Sequence, residues 1–237
     1  MSTCGGDFSS TRAGVQVYFA ARRRQFRPPS TIYGVPQTMS RRTKDLPPLT
    51  GAAHKIREAR YNEFFRQAIG LLFMPVYAAF SNPMAQTYIV GSLIAIIGML
   101  FRFYASGFIV KNKQLATSGP YSLVRHPLYT GNLLLLIGFT IASGQWWAVA
   151  FSGMFWWFYY PAAIEYEDRK LSGIFGEAWQ AWSGTVPAVI PRTLAIRSGG
   201  SWSFRTSWTE NYELIIVVYT LACLLVIEWK LGWLTVN

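Results

Sequence analysis

The chain has 237 residues, 51% hydrophobic, 16% aromatic and only 14% charged, with a formal net charge of +11. A soluble domain usually carries about 25% charged residues, so this composition excludes an ordinary water-soluble domain and points to one small membrane bundle with tails. The basic residues lie between apolar runs without a recognition motif, so nucleic acid is not an expected partner.

Residues 1–62 read as a basic tail, with "ARRRQFRPPS" and "MSRRTKDLPPLTG", whose prolines break any long helix. The tail has no apolar core of the kind a secretory signal needs. An organelle transit peptide has a similar composition, and a disordered tail fits equally well. Cys4 and Cys223 imply no disulfide framework. His54 and His126, the two histidines, are far apart in sequence, so no metal site is expected.

Five apolar runs follow, each near the roughly 20 residues that span a bilayer. The first, "FFRQAIGLLFMPVYAAF", covers Phe64–Phe80, with Pro75 as a kink. The second starts at Thr87, and Arg102 near its end is placed to snorkel towards headgroups. The third begins at Pro127 and fades at "SGQWW". The fourth is Gln145–Ile164 and the fifth Tyr212–Trp229. The runs are continuous rather than alternating, which predicts an all-α polytopic bundle of about five transmembrane helices. Outside the apolar runs, the basic residues lie in the tail, in 102–125 and in 165–210, with Lys230 as the exception. The positive-inside rule then puts the N-terminus in the cytoplasm and the C-terminus across the membrane.

Two polar clusters fall on the same cytoplasmic side. "GPYSLVRHPLYTG" (119–131) places Arg125 and His126 where Pro127 opens the third helix. The exposed amides and dipole of that helix end suit a carboxylate or phosphate. Gly131 removes a side chain where a ligand or a neighbouring helix approaches. A plain membrane-entry turn, with Arg125 on lipid phosphate and Tyr129 in an aromatic belt, fits the same residues. "EYEDRK" (165–170) is the second cluster, where the fourth run leaves the membrane. Glu165 and Arg169 have the spacing of a structural ion pair. Glu167 falls on another face, either solvated or aimed at a ligand. "LSGIFGEAWQAW" reads as a cytoplasmic interfacial helix with Leu171, Phe175, Trp179 and Trp182 as its apolar side.

Together, "GPYSLVRHPLYTG" and "EYEDRKLSGIFGEAWQAWSGTVPAVIPR" resemble the isoprenylcysteine carboxyl methyltransferase and phospholipid methyltransferase superfamily, over about Gly119–Arg192. The resemblance implies a membrane methyltransferase core at 63–192, followed by a linker and an extra transmembrane helix at 193–237. It implies S-adenosylmethionine as methyl donor, with contacts from Tyr121, His126, Pro127, Leu128, Tyr129, Gly131 and Glu167. It also implies a backbone stretch of Lys113, Gln114, Leu115 and Ala116 around the donor. Arg125 and Glu167 are the residues it marks for catalysis. The implied partners are membrane lipids and a lipophilic methyl acceptor, with no nucleic acid and no metal. Two positions depart from the family pattern. Asp168 stands where a second Glu is usual, and Ala163 stands where prenylcysteine-methylating members carry an arginine for the substrate carboxylate. Carboxyl O-methylation of a prenylcysteine-like substrate is the expected reaction. A phospholipid headgroup N-methyltransferase, with Glu165 or Asp168 taking the proton, and a non-catalytic protein with a degenerate donor site are the alternatives.

Overall fold

The computed structural model describes residues 40–109 and 114–236, which form helices and connecting turns without a strand among them. In chain order the helices are α1 (Gly51–Tyr61), α2 (Glu63–Ala79), α3 (Ala85–Ser106), α4 (Pro127–Ala142), α5 (Trp146–Phe175), α6 (Glu177–Ser183) and α7 (Glu213–Val236). A short 3-10 turn, Gly119–Ser122, precedes α4. Pro127 is the first residue of α4, where its fixed φ suits a helix start and its missing N–H is not needed.

Two helices are long and apolar enough to cross a membrane, Ala85–Ser106 and Glu213–Gly232. Only 33% and 22% of their apolar windows are buried inside the molecule, so both present hydrophobic faces outwards. Leu72, Ile89, Leu93, Ile97 and Trp157 are likewise exposed. An apolar exterior of this extent belongs in lipid rather than water.

Contacts at the helix ends fix the directions. Arg102, late in α3, pairs with Glu213 at the start of α7 at 2.8 Å. Lys230, late in α7, donates to the Ala79 and Ser81 carbonyls at 2.8 Å each. Thus α7 runs alongside α2 and against α3. The Lys230 bonds also explain that lone basic residue: its ammonium caps the negative C-terminal end of α2.

Close approach of α3 and α4 depends on small residues. A methyl group on Gly138 would stand 2.5 Å from the Ala95 amide nitrogen, and one on Gly98 would stand 2.9 Å from the Gly131 carbonyl. Such contacts are shorter than side chains tolerate, so the two backbones touch directly. Around this pair a core forms from Tyr77, Ala95, Met99, Leu135, Phe139, Ala148, Leu224 and Ile227. Several polar groups inside it pair with one another, as a low-dielectric interior favours. Tyr77 bonds Ser152 at 2.7 Å, and Ser152 bonds Thr140 at 2.7 Å, joining α2, α5 and α4. Tyr219 of α7 donates to the Leu71 carbonyl of α2 at 3.0 Å.

Three expectations change. First, α5 does not stop at the "EYEDRK" cluster but continues to Phe175. Ion pairs of Glu165 with Arg169 (2.6 Å) and Glu167 with Lys170 (3.3 Å) support the extension. Gly176 then ends it with a φ of +54°, which disfavours any residue with a side chain. Second, the stretch read as one interfacial helix is divided by that glycine, and Trp179 of α6 is buried at 4% exposure. Leu171, Phe175, Trp179 and Trp182 all face an internal chamber. Third, part of the basic tail is built. Residues 1–39 lie outside the described residues, and so does Cys4. From Ser40 onwards a turn and α1 dock on α5. Arg60 donates to the Phe158 carbonyl at 3.0 Å, Arg169 donates to the Arg42 carbonyl at 3.0 Å, and Tyr61 donates to Glu165. Burial and that bond to Glu165 push the Tyr61 phenol up to about 12.

Candidate functional site: a chamber at the polar end of the bundle

A chamber of about 740 Å³ lies between α2, α4, α5 and α7. That volume is in the range of small-molecule sites. Its polar end gathers both sequence clusters. Tyr121, Arg125, His126, Pro127, Leu128 and Tyr129 line it from one side and Glu167 from the other. Gln114, Leu115 and Ala116 line the same chamber, while Lys113 lies outside the described residues. Gly131 does not line it. A methyl group there would strike the Arg102 side chain and the Gly98 carbonyl, so this glycine serves the contact with α3.

The Arg-His-Pro segment is held rigidly. Backbone amides of Arg125 and His126 donate to the carbonyls of Pro187 and Ala188 at 2.8 and 2.9 Å. The Thr130 hydroxyl donates to the Val189 carbonyl at 2.7 Å. The segment after α6 therefore folds back over the start of α4. Arg125 is largely occupied by protein: it reaches Asp168 at 2.9 Å, the Ser183 carbonyl at 2.9 Å and the Val186 carbonyl at 3.2 Å. Asp168 also lies 2.8 Å from Nε2 of His126. The His126 ring, nearly buried, stacks on Tyr129 with centroids 5.4 Å apart.

The adjacent carboxylates of "EYED" take three separate jobs because successive helical residues point about 100° apart. Glu165 holds Arg169 and Tyr61 away from the chamber. Asp168 orients Arg125 and His126. Glu167 lines the chamber, shared with Lys170 at 3.3 Å. Burial first, and then the charges of Glu167 and Glu213, raise the Tyr121 phenol above its ordinary value, partly offset by Arg102. Tyr121 is thus a neutral hydrogen-bond donor at physiological pH.

Sequence reasoning misplaced Arg102 and missed Glu213, Asn132 and Arg66. Arg102 does not snorkel: with its side chain 13% exposed, it pairs with Glu213 (4% exposed) and also reaches Asn132. Arg66, one turn into α2, is buried at the chamber wall. It reads in sequence as a boundary residue beside Glu63, and only the packing of α2 on Tyr129 and Tyr160 turns it inward. Among the described residues no cluster of three His, Cys, Asp or Glu side chains is arranged for a metal ion.

The chamber's donor set suits S-adenosylmethionine. Glu167 and the Tyr121 and Tyr129 rings suit cationic and hydroxyl groups, and the polar start of α4 suits a carboxylate. Comparison with known proteins finds methyltransferases and metal-resistance proteins among the similar chains. Residues 76–178 match the phospholipid methyltransferase family model. The cobalt-zinc-cadmium resistance protein CzcN of Cupriavidus metallidurans is 37% identical over 118 residues, covering 49% of this chain and 53% of that protein. The nickel-cobalt-cadmium resistance protein NccN of Alcaligenes xylosoxydans xylosoxydans is 34% identical over 113 residues, 47% and 52% of the respective chains. The protein-S-isoprenylcysteine O-methyltransferase of Schizosaccharomyces pombe is 26% identical over 104 residues, 44% of each chain. The chain spans about half the length of the curated relatives it matches. No solved structure matches it. Over residues 76–178 the chain is thus similar to the isoprenylcysteine carboxyl methyltransferase and phospholipid methyltransferase superfamily.

Proposed function

We propose that this protein is a multi-pass membrane methyltransferase that uses S-adenosylmethionine to methylate a lipophilic acceptor, with carboxyl O-methylation of a prenylcysteine-like molecule as the reaction. In this reading α2, α3, α4, α5 and α7 all cross the bilayer, with the polar end of the chamber in the cytoplasm. The observation that carries it is one chamber with two characters. A polar end lined by Tyr121, His126 and Glu167 is continuous with an apolar part lined by Leu71, Met74, Phe155 and Ile216. A water-soluble donor and a greasy acceptor thus have adjoining places.

S-adenosylmethionine supplies an electrophilic methyl group on a sulfonium. The chain's residues have a positioning task. Glu167, Tyr121 and Tyr129 bind and orient, while the Asp168–Arg125–His126 cluster keeps the start of α4 in place. Leu171, Phe175, Trp179 and Trp182 cover the chamber and exclude water. A carboxylate acceptor is already ionised at neutral pH, so alignment does most of the work. An amine acceptor needs a proton acceptor. Glu165 and Asp168, the residues first considered for that task, are engaged with Arg169 and Tyr61 and with Arg125 and His126. Their engagement favours the carboxyl reaction over headgroup N-methylation.

Titration calorimetry of S-adenosylmethionine into the protein in lipid nanodiscs tests the reading. Saturable binding that Glu167→Ala weakens is the expected result. An absence of donor affinity ends the enzyme reading.

A further inference from the structure

Four cations line the chamber among the described residues, and three are closely matched. Arg102 pairs with Glu213 at 2.8 Å, Arg125 with Asp168 at 2.9 Å and Lys170 with Glu167 at 3.3 Å. Arg66 is different. Its residue exposure is 7%, yet its carboxylate partner Glu63 stands 3.9 Å away. Glu63 is already engaged by Arg42 and accepts from Gln67 at 2.9 Å. The rings packed on Arg66 carry no charge. Its guanidinium lies 5.1 Å from the Tyr129 ring centroid and 5.6 Å from that of Tyr160, whose hydroxyl also faces it. A buried guanidinium balanced at such a distance is unfavourable, and a bound anion relieves it.

The surroundings define the rest of that anion. Beyond Arg66 the wall is apolar, with Gly70, Leu71, Met74 and Phe155 on one side and Ile215 and Ile216 on the other. Leu71 and Ile215 are also 40% and 63% exposed. The chamber therefore reaches the apolar exterior between α2 and α7. Glu63 and Glu167 on the same lining repel a second negative charge.

We propose that Arg66 binds the head of a monoanionic amphiphile, a carboxylate on a long hydrocarbon chain, with the chain lying along Gly70–Met74 towards the opening between α2 and α7. The inference rests on the methyltransferase reading for its role, since Tyr129 separates Arg66 from His126 and sets the anionic head beside the donor end. Arg66 is then the residue that selects the acceptor by charge.

The test is direct binding to the full-length chain in phosphatidylcholine nanodiscs, with no methyl donor present. The probes are N-acetyl-S-farnesylcysteine, its carboxamide and farnesyl monophosphate. A charge-assisted hydrogen bond makes the carboxylate bind about tenfold or more tighter than the carboxamide. Arg66→Gln shrinks that ratio to about threefold or less, and Arg66→Lys keeps part of it. Equal affinity of carboxylate and carboxamide for the unsubstituted protein overturns the assignment without any variant. Tighter binding of the monophosphate than of the carboxylate overturns it too. S-adenosylmethionine affinity is read separately on the same samples. Its absence beside a clear carboxylate preference sinks the enzyme reading alone, and its presence without that preference sinks the Arg66 site alone.

Discussion

The carboxylate of Asp168 lies 2.8 Å from Nε2 of His126, while its second oxygen takes a guanidinium nitrogen of Arg125 at 2.9 Å. One acid on α5 thereby fixes two consecutive side chains ahead of α4. Asp168→Ala should lower the unfolding free energy by about 1–3 kcal/mol, since a hydrogen bond to a charged group is lost and a half-buried cation is left behind. It should also weaken donor binding. Asp168→Glu should recover part of both losses, because the longer side chain still offers two oxygens. Thermal melting and calorimetry on the same preparations read the two effects.

Glu167 and Glu165 are expected to separate cleanly. Glu167→Ala, at the chamber wall, should weaken S-adenosylmethionine binding about tenfold with little change in melting temperature. Glu165→Ala should leave donor affinity near normal and instead release α1 from α5, because Tyr61 and Arg169 lose their acceptor. Hydrogen exchange over residues 51–61 registers the release. Equal effects of both substitutions on donor binding would contradict this division of labour.

The pair of Arg102 and Glu213 lends itself to a double-mutant cycle. Removing either partner leaves the other charge buried and should cost about 3–5 kcal/mol. Replacing both by Met and Leu should be far milder, because two apolar side chains carry no desolvation penalty. Denaturation of the four proteins in one detergent gives the coupling. Additive losses, with the double replacement costing the sum of the two single ones, would show the two charges to be uncoupled.

Glu58 sets an acid limit on the tail's docking. Burial raises its carboxyl, but the bonds from Thr43 and Ser40 and the nearness of His54 outweigh this and hold it below the usual glutamate range. A lowered folded-state value means the stabilisation is present above the unfolded value of about 4.3 and is lost as pH falls through the folded one. Hydrogen exchange at residues 40–61, corrected for intrinsic rates, should be flat from pH 7 to 5 and rise below about pH 4. In Glu58→Gln that acid-dependent rise should disappear.

Much of the core was readable because its signals are local. The apolar runs, Pro127 as a helix start and the spacing of Glu165 to Arg169 need no knowledge of partners. Long-range pairings were not readable. Arg102 and Glu213 are separated by 111 positions, and neither residue advertises the other. For a different reason, the end of the fourth run's helix was not readable. A change from apolar to charged residues marks a membrane boundary, but the helix itself ends only where Gly176 changes the backbone. The same holds for Trp179 and Trp182: an apolar stripe says that a surface is covered, not whether lipid or protein covers it. Resemblance named most of the residues at the polar end of the chamber, while Arg66 appeared only once α2 was packed against Tyr129 and Tyr160.

The glycine contact between α3 and α4 has a further consequence for traffic. Backbones that touch through Gly98, Gly131 and Gly138 leave no slack for sliding, so that side of the bundle acts as a fixed anvil. In the proposed reaction, any widening for a long-chain acceptor falls to the seam between α2 and α7. There the Tyr219 hydroxyl on the Leu71 carbonyl serves as a latch. The framework thus divides into a half locked backbone against backbone and a half joined through side chains.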